Sequence, residues 1–165
     1  MTDADRLELA PALGFNGVIS VPGDKSISHR LAMIAAIAEG TTIIHHFADS
    51  ADCQSTLDCL TELGVQIKRD GSTVTVEGRG LNGLREPSRP LDAGNSGTTV
   101  RLMSGLLAGF PFQATFIGDE SLSRRPMKRI IEPLRRFGAT IEARDDNYLP
   151  LKIEGGSLFP LSFTM

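Results

Sequence analysis

The sequence predicts an α/β fold in which one unit, strand–helix–strand–helix followed by two short strands, occurs twice. Three observations predict it. β-branched and apolar runs alternate with stripes at helical spacing along the chain. Each alternation ends in a hairpin signal, the first around Asp70-Gly71 and the second between Thr140–Arg144 and Tyr148–Ile153. Matching segments also recur in one order. Gly23-Asp24-Lys25-Ser26-Ile27-Ser28-His29-Arg30-Leu31 aligns with Gly94-Asn95-Ser96-Gly97-Thr98-Thr99-Val100-Arg101-Leu102. Leu63-Gly64-Val65 then aligns with Phe137-Gly138-Ala139, and Val74-Thr75-Val76-Glu77-Gly78 with Leu151-Lys152-Ile153-Glu154-Gly155. The offset drifts from 71 to 77 residues, as small loop insertions produce, and the shared order marks a duplication.

In the first copy the apolar run Val18-Ile19-Ser20-Val21 reads as a strand that breaks at Pro22-Gly23. A helix follows, with Leu31, Ile34, Ala35 and Ala38 on one stripe. Thr41 to Phe47 is β-branched and reads as the next strand, with His45 and His46 facing opposite sides. Asp52 is placed to cap a second helix whose stripe is Cys53, Leu57 and Leu60 and which Gly64 ends. Val65–Lys68 and Ser72–Glu77 complete the unit as a hairpin. In the second copy the first helix carries Val100, Met103, Leu106 and Leu107, and Phe112–Ile117 is the strand after it. Pro126 reads as the first residue of the next helix, where its missing N–H costs nothing. That helix has the stripe Met127, Ile130, Ile131, Leu134 and Phe137, with Pro133 expected to kink or shorten it. Past Gly155-Gly156 the pattern begins again at Leu158 and stops at Met165, which reads as a piece of something longer.

Composition bounds the function. The 165 residues suffice for one domain or for two small units sharing a core. A formal net charge of -3, no Trp and one Tyr argue against a nucleic-acid surface, so attraction for anions must come from local placement of Lys and Arg. Cys53 and Cys59 lack any metal or redox spacing and read as buried reduced thiols. The start, Met1 to Glu8, is polar and unlike a signal peptide, and no apolar run approaches the ~18 residues of a membrane span. A cytoplasmic protein without a metal site is expected.

The chemistry-bearing residues sit at helix starts. Free N–H groups and the helix dipole at Asp24–Ser26 suit an anion, and Lys25, Ser26 and Arg30 lie on the same first turns. The duplication implies a second such terminus at Asn95–Thr98, where Asn95 or Ser96 caps and Gly97 admits close approach to the backbone. Neither Gly23-Asp24-Lys25-Ser26 nor any other segment has P-loop spacing, and a dinucleotide fingerprint is absent. Ser123-Arg124-Arg125-Pro126-Met127-Lys128-Arg129 places four cations where the dipole opposes them, a conflict that an anion would relieve. Arg125 stands out, because Pro126 fixes the backbone beside it.

Three of these segments resemble the 5-enolpyruvylshikimate-3-phosphate synthase family of enolpyruvyl transferases. They are Pro22 to Arg30, Asp92 to Leu102, and Gly118-Asp119-Glu120-Ser121-Leu122-Ser123-Arg124-Arg125-Pro126-Met127, in family order and covering nearly all of the chain. The resemblance implies an inside-out α/β barrel of two domains, each with three βαβαββ units. Residues 1–22 would then belong mostly to the second domain, 23–156 would supply two units, and 157–165 would begin a third. It implies transfer of the enolpyruvyl group of phosphoenolpyruvate to the 5-hydroxyl of shikimate 3-phosphate, with release of phosphate and without metal or organic cofactor. Lys25 would touch both substrates as the catalytic cation, Ser26 and Arg30 would bind shikimate 3-phosphate, and Asn95, Gly97 and Arg125 would bind phosphoenolpyruvate. Gly97 would lie in the region that decides glyphosate access. Partners would be these small molecules and the remaining C-terminal portion, in a protein that is a monomer at full length. Ala51 stands where the family often has a second acid, and the family's Ser-Ala-Gln segment and its catalytic Asp and Glu would fall past Met165. The sister UDP-N-acetylglucosamine enolpyruvyl transferases, and a non-catalytic anion-binding remnant, are the alternatives.

Overall fold

The computed structural model describes residues 10, 11, 14 and 16–162. The first half runs α1 (Lys25–Ile37), β1 (Glu39–Ile44), α2 (Ala51–Glu62), β2 (Gln66–Asp70) and β3 (Thr73–Arg79). The second runs β4 (Leu91–Asp92), α3 (Gly97–Leu107), β5 (Gln113–Ile117), α4 (Glu120–Ser123), α5 (Lys128–Phe137), β6 (Thr140–Arg144) and β7 (Tyr148–Glu154). Each half forms its own sheet, ordered β1-β3-β2 and β4-β5-β7-β6. The shared three strands are antiparallel in both, and β4 adds a parallel neighbour to β5. This is the α/β arrangement that the alternating periods predict.

One apolar core runs through both halves, from Ala32, Met33, Leu57 and Leu60 to Met103, Phe116, Ile131 and Leu151. The stripe of α2 (Cys53, Leu57, Leu60) is buried as its spacing requires, and both thiols are free and buried. Burial pushes the Cys59 thiol up to about 12, so it behaves as a small apolar side chain. The segment between the halves is tied down by Leu84, which is buried, and by the Arg85 N–H, which donates to the Leu63 carbonyl at 2.9 Å. Among the described residues no helix is long and apolar enough to cross a membrane.

The glycines that end the aligned strands have one physical reason. A Cβ on Gly78 would stand 2.3 Å from the Ala35 and Ala38 carbonyl oxygens, and one on Gly155 would stand 2.3 Å from that of Leu107. In both halves the C-terminal carbonyls of the first helix rest directly on the last strand, which only a residue without a side chain allows.

Several local expectations need correction. The buried face of α1 is Ser28, His29, Ala32, Met33, Ala35 and Ala36, so Leu31 and Ile34 of the expected stripe lie on its exposed side with Ile27. Val18–Val21 forms no strand: its side chains are exposed, and among the described residues no neighbouring strand supplies the ladder that extended apolar residues need. β1 stops at Ile44, so His45 and His46 lie beyond it, both exposed, with His46 in the left-handed region at φ 54°. Ser50, not Asp52, caps α2, accepting from the Cys53 N–H at 3.3 Å; its extended backbone suits a cap, whereas Asp52 already lies in the first turn. A one-turn helix, α4, precedes α5, and α5 starts at Lys128 rather than Pro126. Its start is capped from afar, by Asn147 Oδ1 accepting from the Met127 and Lys128 N–H groups at 3.0 and 2.8 Å. The expectations for 1–22 and 157–165 fall in part on residues outside the described set.

Candidate active site

The N-terminal turns of α1, α2 and α3 lie side by side. Cys53 Sγ of α2 is 3.6 Å from the Lys25 carbonyl of α1, and Thr99 Oγ1 of α3 is 3.5 Å from the Asp52 carbonyl of α2. Three helix N-termini therefore meet at one place, where the positive ends of their dipoles add.

On α1, Asp24 caps the helix by accepting from the Ile27 N–H at 2.8 Å, which starts the helix at Lys25. Lys25 Nζ pairs with the Asp52 carboxylate, with the lysine half-exposed and the aspartate more enclosed. The carboxylate holds the ammonium at the helix terminus, against its dipole. Ser26 and Arg30 are one turn apart on an exposed face, and Arg30 Nη1 donates to the Ser26 carbonyl at 3.0 Å. Lys25, Ser26 and Arg30 thus gather at one helix terminus.

The α3 terminus is built differently. Ser96 caps it, accepting from the Thr99 N–H at 3.2 Å, and both Ser96 and Gly97 are buried. Its cation arrives from the loop between α4 and α5. Arg125 Nη2 donates to Asn95 Oδ1 at 2.6 Å, and Nη1 donates to the Asn95 carbonyl at 3.3 Å. Asn95 Nδ2 donates in turn to Asp119 Oδ2 at 2.7 Å, and Asp119 caps α4 through the Leu122 N–H. That N–H and the Asn95 amide hold the Asp119 carboxyl below its ordinary range, so the clamp is ionised at neutral pH. The structure therefore brings Asn95, Gly97 and Arg125 together.

The other cations of the basic run turn elsewhere: Arg124 pairs with Glu120, and Lys128 with Glu132. This removes the conflict with the dipole that the sequence suggested for them. Two neighbours escaped sequence reading. Asp119 is visible only as a cap signal, since its Asn95 partner is far away in the chain. Arg101 was aligned with Arg30 but given no role; its Nη1 lies 3.3 Å from the place a Gly97 Cβ would take, and its buried Nε has no partner among the described residues. A cavity of about 520 Å³ between the halves is lined by Asp58, Glu62 and Asp92 and shares none of the six candidate residues. These carboxylates outnumber the one cation of the lining, Arg89, which pairs with Glu62, so the cavity does not favour an anion.

The chain is similar to known proteins over most of its length. Residues 11–165 match the family model described as EPSP synthase (3-phosphoshikimate 1-carboxyvinyltransferase). The chain is 58% identical over 149 residues to the 3-phosphoshikimate 1-carboxyvinyltransferase of Geobacillus kaustophilus, covering 90% of this chain and 35% of that protein. With the enzyme of that name from Oceanobacillus iheyensis it is 54% identical, covering 96% and 38%. Among solved structures, an EPSP synthase from Acinetobacter baumannii superposes with a TM-score of 0.85 at 43% identity, over 89% of this chain and 34% of that one. The chain thus spans about a third of the length of the relatives it matches. With the family model matching nearly end to end and the two helix termini built as described, the chain belongs to the EPSP synthase family.

Proposed function

We propose that these residues form one wall of an enolpyruvyl transferase site, in which shikimate 3-phosphate and phosphoenolpyruvate meet at the termini of α1 and α3. The observation that carries this reading is the pairing of two unlike anion subsites on adjacent helices, Lys25–Ser26–Arg30 beside Asn95–Gly97–Arg125. Lys25, Ser26 and Arg30 hold shikimate 3-phosphate. Asn95, the Gly97 backbone and Arg125 hold phosphoenolpyruvate, and Lys25 reaches both. Two polyanions can be held close together only if cations and N–H donors are placed beforehand, and this is the chain's contribution to bringing the 5-hydroxyl against the enolpyruvyl carbon. Asp52 holds Lys25 in place before ligand arrives, and Asp119 does the same for Asn95.

In this reading residues 23–156 are two units of one domain, 157–165 begin a third, and 1–22 belong mostly to the second domain. The full-length protein would be a cytoplasmic monomer whose remaining portion supplies the general acid and base. The sister UDP-N-acetylglucosamine transferases fit less well, since Lys25-Ser26 followed by Arg30 suits shikimate phosphate. The 165-residue chain is expected to bind shikimate 3-phosphate with no appreciable turnover. Calorimetric titration together with a phosphate-release assay at saturating substrates tests this. Binding without turnover is the expected result; a folded chain that binds neither substrate would refute the proposed site, and release at the rate of a complete synthase would refute the division of labour.

A further inference from the structure

A buried chain of hydroxyls joins the two subsites. His29 Nδ1 lies 2.6 Å from Thr56 Oγ1, Thr56 Oγ1 lies 2.7 Å from Thr99 Oγ1, and Thr99 Oγ1 donates to Ser96 Oγ at 2.7 Å. All four side chains are buried, at 0% exposure. They come from three helices: His29 follows Lys25 by one turn of α1, Thr56 follows Asp52 by one turn of α2, and Thr99 and Ser96 form the start of α3. A hydroxyl carries one proton, so the donation from Thr99 to Ser96 sets the direction of the rest. Thr56 donates to Thr99, and His29 donates its Nδ1 proton to Thr56. The Nε2 atom is then a bare acceptor, buried and without a partner among the described residues. The aligned position in the first half behaves otherwise: Ser28 Oγ donates to the Asp24 carbonyl at 2.8 Å and accepts from the Ala48 N–H at 2.9 Å, without leaving its own half.

We infer that His29, Thr56, Thr99 and Ser96 are positioning residues whose hydrogen-bonded chain sets the α1 terminus against the α3 terminus and so matches the two anion subsites to each other. The inference rests on the function proposed above. Buried polar groups that find their partners on neighbouring helices hold those helices in register, because any slippage between them would strand a donor or an acceptor away from water. The charges around His29 are Lys25 and Arg30 on its own helix and Asp52 on α2. Burial lowers the basicity of the ring, which keeps it neutral and so a single donor at Nδ1.

The test substitutes Thr56→Val, which keeps shape and removes the hydroxyl. Expected are displaced amide resonances of Ser96 and Gly97, on a helix that Thr56 does not belong to. Phosphoenolpyruvate, titrated with shikimate 3-phosphate saturating, should bind about tenfold more weakly. Thr56→Ser should restore both. Ser104→Ala, a buried hydroxyl on α3 outside the chain, should change neither. Unmoved Ser96 and Gly97 resonances with unchanged affinity would overturn the inference. If the wild-type chain binds no phosphoenolpyruvate but the resonances still move, the proposed function fails and the positioning chain stands. Should Thr56→Val not fold, the wild-type ring decides: a neutral His29 with its proton on Nδ1 supports the chain, and a ring titrating near 6.5 with Nδ1 free overturns it.

Discussion

The two halves start from the same plan and end with different subsites. In the first, the cation belongs to the helix itself, since Lys25 is the opening residue of α1 and a carboxylate from α2 restrains it. In the second, the helix opens with a buried glycine and the cation is borrowed from the α4–α5 loop through Asn95. A helix terminus that carries its own ammonium offers a point charge in a half-exposed place. One that opens with a glycine and imports a guanidinium offers the planar fork of an arginine beside a terminus without a Cβ. On the function proposed above, duplication followed by this divergence turns two copies of one helix-terminus device into a pair that tells two anions apart.

Where the halves agree, equal damage is expected. Gly78→Ala and Gly155→Ala should each cost roughly 3 kcal/mol or more by thermal unfolding, because a methyl at 2.3 Å from carbonyl oxygens forces helix and sheet apart. A mild effect at one and a severe effect at the other would break the likeness of the halves.

Where they differ, damage should differ. Leu91 of β4 is buried and paired with Phe116, and Leu91→Ala should cost about 2–4 kcal/mol. Val21, in the matching stretch before the first helix, is 73% exposed, and Val21→Ala should change stability by less than ~0.5 kcal/mol. A large loss at Val21 would mean that Val18–Val21 packs as a strand after all.

Acid sharpens the contrast by a smaller amount. His29 is held less basic than usual by burial, so its contribution is whole above about 6.5, the ordinary value, and declines as pH falls toward its lowered folded value. Asp119 is held more acidic than usual, so its contribution survives until pH falls below the ordinary carboxylate range. Urea midpoints followed against pH should show a first decline that Asp119→Asn leaves in place and a second that it removes.

Sequence reading reached the parts whose causes are local. The stripes of α2 and α3 and both hairpins follow from spacing and turn residues, and the six candidate residues follow from motifs at helix starts, whereas the stripe expected for α1 puts Leu31 and Ile34 on what is an exposed face. What it missed depends on partners distant in the chain. Val18–Val21 has the composition of a strand but no ladder, and composition cannot supply one. Ser50 and Asp52 are both good caps, and the extended backbone at Ser50 decides between them. The Asn147 cap on α5, the Asp119 clamp on Asn95 and the link from Thr56 to Thr99 join segments 19 to 43 residues apart, beyond any local pattern.

The most direct test of two distinct subsites is calorimetric titration of the chain and of two variants with each substrate. Arg125→Ala should weaken phosphoenolpyruvate binding roughly 10- to 100-fold while shikimate 3-phosphate binds as before, and Lys25→Ala should weaken both. Equal loss of both substrates in Arg125→Ala, with the fold intact, would contradict the division of the two anions between α1 and α3.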